Sequence, residues 1–150
     1  VNDTKLTNPK DVIGSAKLPL GLVPDIVRSA CALAMLEGAL KYGRYNWRAA
    51  GVRASIYHDA LERHLICWWN GEDCDPKTKV PHLASIIACA GILLDADLCD
   101  KLSDDRPPVA PIGDFIRAME PTIAHLKELF KDQNPHQWTI ADEVNAERLP

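Results

Sequence analysis

Carboxylates gather along one stretch of the chain. Asp59 and Glu62 are three residues apart, which places them on one side of any helix that holds both. Glu72 and Asp75 repeat that spacing inside GEDCD. A few hard oxygen ligands converging from neighbouring helix ends suit Mg²⁺ or Mn²⁺, with water and phosphate oxygens completing the six positions. The same residues would also serve as a solvated helix face followed by a turn. Glu37 precedes Lys41 by four residues, so it offers either a further carboxylate or a helical ion pair. The segment KYGRYNWR (41–48) interleaves Lys41, Arg44 and Arg48 with Tyr42, Tyr45 and Trp47. Cations pair with phosphates and rings stack on a base, while Asn46 carries the donor and acceptor that read a base edge. The alternative is a surface loop rich in cation–π contacts and pinned by Trp47. Arg63-His64 can touch a phosphate or orient a carboxylate, and His64 would equally serve as a partly buried structural residue. His82 opens an expected helix, where the neutral imidazole is favoured for hydrogen bonding. His58-Asp59 is an HD pair, but HD-type phosphohydrolases also need a histidine N-terminal to it, and none is present. No Walker A, GxSxG or Rossmann fingerprint occurs.

These residues need elements to hold them. The sequence has 150 residues, 47% hydrophobic and 25% charged, which suits one domain needing no staple. Residues 1–23 read as an irregular arm, because Pro9, Gly14, Pro19, Gly21 and Pro24 punctuate it. Helical periodicity then runs over 24–42, from Pro24 to a stop at Gly43. A loop is expected at 43–55, and Ser55 would cap a helix over 56–70. The segment 81–99 is apolar almost all round and should be the central helix. A proline-rich linker (103–113) precedes a helix over 114–132, kinked by Pro121, with Phe115, Ile116, Met119, Ile123, Leu126 and Phe130 as its inner stripe. The domain plan is thus an arm (1–23), a helical domain (24–135) and a tail (136–150) with one short helix capped by Thr139. No strand pattern or repeat is visible, so the fold class is all-α, a bundle of four principal helices.

Five cysteines, an odd number with no CxxC pair, point to reduced thiols and no zinc site. Net charge is −4 and the pI about 5.7, so a nucleic-acid-coating role is excluded. No apolar run approaches the ~18–20 residues of a membrane span, and residues 1–11 hold no signal core. The expectation is a soluble cytoplasmic protein.

Taken together, NPKD (8–11), K-x-PL (17–20), GALKYGRYNWR (38–48), ERHL (62–65), WWNGEDCDP (68–76), PHLASIIA (81–88), LLDA (93–96) and DDRPP (104–108) form a more specific pattern. It resembles the phage dATP/dGTP diphosphohydrolases, a branch of the all-α MazG-like nucleoside triphosphate pyrophosphohydrolases, and most closely the MazZ type. The resemblance covers residues 8–108. It implies cleavage of dGTP, or GTP or dATP, to the monophosphate and pyrophosphate, with dGMP supplied for 2-aminoadenine nucleotides in an infected host cell. It also implies Mg²⁺ or Mn²⁺ and a homodimer or homotetramer with sites near subunit contacts. MazG-like enzymes hold the ion with ExxE…ExxD. Here Glu72-x-x-Asp75 matches the second half, and Asp59-x-x-Glu62 stands for the first. His82-x-x-Ser85 stands where relatives place another acidic pair. On this reading Glu62 or Glu37 orients the attacking water. Lys41, Arg63, His64 and Arg44 meet phosphates, Asn46 and Trp47 face the base, and His82 and Asp95 support the site. The competing class is a non-catalytic helical adaptor using its tryptophans as an interface.

Overall fold

The computed structural model describes residues 8–143. They fall into two compact units, divided between Asp104 and Asp105. The structure is mostly helical, as the all-α expectation requires.

The first unit opens with α1 (Pro9–Ser15), where an irregular arm was expected. Pro9 sits at the start of the helix, where its missing N–H costs nothing, and Asn8 Oδ1 caps it by accepting from Lys10 N at 3.1 Å. A 3-10 turn follows at Leu20–Leu22. Helix α2 (Asp25–Tyr42) has Asp25 in its first turn and Lys41 in its last, each complementing the helix dipole. Gly43, at φ 88°, ends it.

The expected loop at 43–55 contains more structure than its composition suggested. It holds a short helix, α3 (Asn46–Ala50), and a two-residue strand, β1 (Val52–Arg53). β1 pairs in parallel with β2 (Leu102–Ser103), just beyond the C-terminal end of α5 (His82–Leu98). A two-residue strand is too short to show alternation, which is why none was visible. Helix α4 (Ala54–Trp69) starts directly from β1, so Arg53 occupies its cap position and Ser55, expected there, lies inside the helix. Gly51 (φ 78°) lets the chain pass close to α5's exit. A Cβ there would meet Lys101 O at 2.9 Å.

Helix α5 (His82–Leu98) is central, packing against both α2 and α4. The contact surface is built from small residues. Ala34, Val80, Ala84 and Ala88 form the core cluster, with Ala30, Cys31 and Met35 against it. Among the described residues no large side chain is fully buried. Several leucines of α2 are exposed, Leu36 at 49% and Leu40 at 80% among them.

In the second unit the expected single helix is two: α6 (Ile112–Ala118) and α7 (Glu120–Leu129). Pro121 lies in the first turn of α7, where its ring would collide with the carbonyl of residue 117 in a continuous helix. The stripe expected to be internal is largely exposed, with Phe115 at 61% and Phe130 at 57%. A 3-10 turn at 140–143 ends the described chain, with Thr139 N–H donating to Asp142 Oδ2 at 2.6 Å. Residues 144–150 of the expected tail lie outside the described residues. Among the described residues no helix is long and apolar enough to cross a membrane.

Candidate active site

α2 and α4 rise from α5 as two walls, leaving a cleft of about 450 Å³. Small residues on α5, Ser85 and Ala88, keep the floor low. From α2 the cleft receives Glu37, Lys41 and Tyr42, and from α3 Asn46 and Trp47. From α4 it receives Tyr57, Arg63 and His64. Lys41 and Arg63 are the cations, and the three rings belong to Tyr42, Trp47 and Tyr57.

The Glu37 carboxylate pairs with Lys41 Nζ along the helix, and this bond raises the lysine's pKa, so Lys41 is charged. Burial pushes the Tyr57 phenol and the Cys89 thiol up, so both are protonated at neutral pH. Burial, then the neighbouring His82 and Arg63, hold His64 below the ordinary histidine value. It is neutral at pH 7.

His64 is the inner end of a line of hydrogen bonds. Its Nδ1 lies 2.9 Å from His82 Nδ1, and His82 Nε2 lies 2.8 Å from Glu72 Oε1. His82 is 3% exposed, whereas Glu72 faces solvent. Asp95, 48 residues beyond Trp47, binds the other edge of the site. Its Oδ2 accepts from Trp47 Nε1 at 2.6 Å and Arg48 Nε at 2.8 Å, and its Oδ1 from the Arg48 guanidinium at 2.7 Å. The forked arginine and the indole pull Asp95 down to about 2. Arg48 also stacks over the Tyr45 ring at 4.7 Å.

Of the residues singled out in the sequence, Glu37, Lys41, Asn46, Trp47, Arg63 and His64 share the cleft. Arg44 and Asp95 line a neighbouring depression with Arg48. Asp59 and Glu62 are exposed and do not line the cleft. Glu62 lies two positions from both Ala60 and His64, so it takes the opposite side of α4. Asp75 Oδ1 accepts from the N–H groups of Lys77 and Thr78, both at 2.8 Å, and these bonds hold its carboxyl below the usual range. Asp75 thus shapes the turn before α5, yet its charge is also felt by Lys41 and His64.

Among the described residues, Cys67, Glu72 and His82 bring ligand atoms within 4.8 Å of one another, a group able to hold a metal ion. Its sulfur, nitrogen and oxygen donors suit a borderline ion rather than Mg²⁺. Sequence reasoning passed over Cys67 and Tyr57. Cys67 has no cysteine partner at ligand spacing, and a single tyrosine on a helix makes no pattern.

Residues 7–106 match the family model described as dATP/dGTP diphosphohydrolase, N-terminal. No match was found among curated proteins or among solved structures.

Proposed function

Because this chain belongs to the dATP/dGTP diphosphohydrolase family, a family of nucleoside triphosphate hydrolases, we propose that its cleft takes a purine deoxynucleoside triphosphate and splits it between the α- and β-phosphates. The observation that carries this reading is the pairing, in one cleft, of two cations with three rings and Asn46. The volume of about 450 Å³ lies within the ordinary range for small-ligand sites. Lys41 and Arg63 meet the β- and γ-phosphates. Trp47 stacks on the base, and Asn46 reads its edge. A ring accepts any purine, whereas a buried amide left unpaired by the wrong base discriminates.

Mg²⁺, or Mn²⁺, fits this arrangement in a particular way. Mg²⁺ is commonly held by one or two carboxylates together with substrate phosphates rather than by an all-protein cage. Glu37 on the cleft wall would supply one such carboxylate, and Asp75, from the turn before α5, a second. The ion would neutralise triphosphate charge and act as a Lewis acid on a phosphoryl oxygen. Glu37 would also release Lys41 toward the phosphates as substrate enters.

The finer reading follows the resemblance. The substrate is dGTP, the products are dGMP and pyrophosphate, and dGMP feeds 2-aminoadenine nucleotide synthesis in the cytoplasm of a phage-infected cell. The working form is a homodimer or homotetramer. Incubation with dGTP and Mg²⁺, followed by product analysis, tests it. Pyrophosphate and dGMP are expected. Release of whole tripolyphosphate would indicate HD-type chemistry, and no turnover of any purine triphosphate would favour an adaptor.

A further inference from the structure

Donors of three kinds meet where α4 ends and α5 begins. Cys67 lies in the last turn of α4, Glu72 in the connection that follows, and His82 is the first residue of α5. Backbone hydrogen bonds fix where they stand. Cys67 O accepts from Glu72 N at 3.0 Å, and His82 N donates to Asp73 O at 2.9 Å. An antiparallel bridge between Cys74 and Pro81 closes the segment between them. Ligand atoms of the three side chains lie within 4.8 Å of one another. His82, 3% exposed, is the fixed member, and Glu72, which is exposed, the movable one.

We propose that Cys67 Sγ, a Glu72 carboxylate oxygen and His82 Nε2 bind Zn²⁺, which ties the end of α4 to the start of α5. A thiolate and an imidazole beside one carboxylate are donors that Zn²⁺ takes and that Mg²⁺, a hard ion, does not. Tetrahedral zinc, ~2.3 Å from sulfur and ~2.0–2.2 Å from nitrogen and oxygen, sets its ligands roughly 3.4–3.6 Å apart. His82 Nε2 and Glu72 Oε1 are 2.8 Å apart, so a small opening of this pair admits the ion in place of their direct bond. The other ring nitrogen, Nδ1, lies 2.9 Å from His64 Nδ1. A metal-bound histidine almost always has such an outer partner, which fixes the orientation of its ring. A bond between Glu72 and His82 needs no thiol nearby, and it is the Cys67 sulfur within reach that makes the group a metal site. Three protein ligands leave the fourth position to water. The Mg²⁺ of the cleft draws on Glu37 and Asp75, so the two ions share no ligand, and the zinc site stands whether or not the cleft takes a triphosphate.

Cobalt reads the site without substrate. The full chain, stripped by a chelator, is titrated with Co²⁺, a coloured stand-in for Zn²⁺. One equivalent should give a thiolate-to-cobalt charge-transfer band, which Zn²⁺ abolishes and excess Mg²⁺ leaves in place. Absence of the band, or its loss to Mg²⁺, overturns the proposal. Cys67→Ser should lose the band, and Cys74→Ser, which alters the exposed thiol of the same connection, should keep it. A band that survives in Cys67→Ser, or disappears in Cys74→Ser, places the thiolate elsewhere and overturns the assignment. Glu72 is exposed, so Glu72→Gln should keep the fold, which circular dichroism checks, and should weaken Co²⁺ binding about 10-fold or more. Unchanged affinity in that variant removes Glu72 from the site and defeats the three-ligand proposal. Zn²⁺ should also raise the melting temperature of the wild-type chain and leave that of Cys67→Ser nearly where it was. An equal rise in both overturns the tie between α4 and α5. A chain that hydrolyses no purine triphosphate would end the reading of the cleft and leave every one of these outcomes as decisive as before.

Discussion

Trp47 has two duties at once: its ring lines the cleft, and its N–H is fixed by Asp95. Trp47→Ala should therefore weaken every purine triphosphate alike, by roughly 1–3 kcal/mol if the stack is complete. Asn46→Ala should narrow the difference in kcat/KM between dGTP and dATP. If both variants lose only melting temperature and keep the preference, the two residues are structural. Asp95 offers a test in pH. Its folded value of about 2 lies below the ordinary 3.8, so its contribution to stability is complete above 3.8 and is lost as pH falls toward 2. Asp95→Asn should be less stable than wild type at pH 6, and the gap should close between pH 3.8 and about 2 in chemical unfolding curves. The 41–48 motif was legible because its cations and rings are neighbours in the chain. The Asp95 anchor was not, because nothing local in LLDA says that a carboxylate will close on an indole 48 residues earlier. Asp75 shows the reverse case, where motif spacing suggested a ligand and the turn uses one of its oxygens for two backbone N–H groups.

Helix ends explain most of what the sequence hid among the elements. The three long helices were visible from periodicity, within two residues at each end. Pro9 opens α1 rather than interrupting the chain, because a proline at the first helical position is a start signal. The β1–β2 clasp has no sequence signature, yet it sets where α4 begins. Gly51 is its tightest point, with positive φ and a backbone oxygen 2.9 Å from the place a Cβ would take. Gly51→Ala should lower the melting temperature by several degrees, the usual consequence of about 1 kcal/mol or more in a domain of this size. An unchanged melting point would show that the clasp opens freely. In the second unit Pro121→Ala removes the collision that parts α6 from α7. Helical circular dichroism should increase if proline alone divides them, and stay constant if Met119 is bent by its packing.

At the scale of the molecule, the all-α expectation was legible because apolar spacing specifies helices directly, but the depth of the core was not. Periodicity marks leucines and alanines alike as apolar, and packing then selected the alanines. Ile26 at 71%, Leu40 at 80%, Trp69 at 78% and Leu98 at 83% stand in solvent as a result. Monomers rarely leave so much large apolar surface bare, so the chain should run well above 16.6 kDa by light scattering at micromolar concentration. A clean monomer with full activity would refute the assembly. The alanine core also has a calorimetric consequence. The heat-capacity change of unfolding follows the apolar area newly exposed to water. A single chain whose large side chains are already wet should fall below the ~12–15 cal/mol/K per residue typical of globular domains. Subunits that cover those side chains in one another should restore it, so the curvature of the stability profile would then belong to the assembly rather than to the chain.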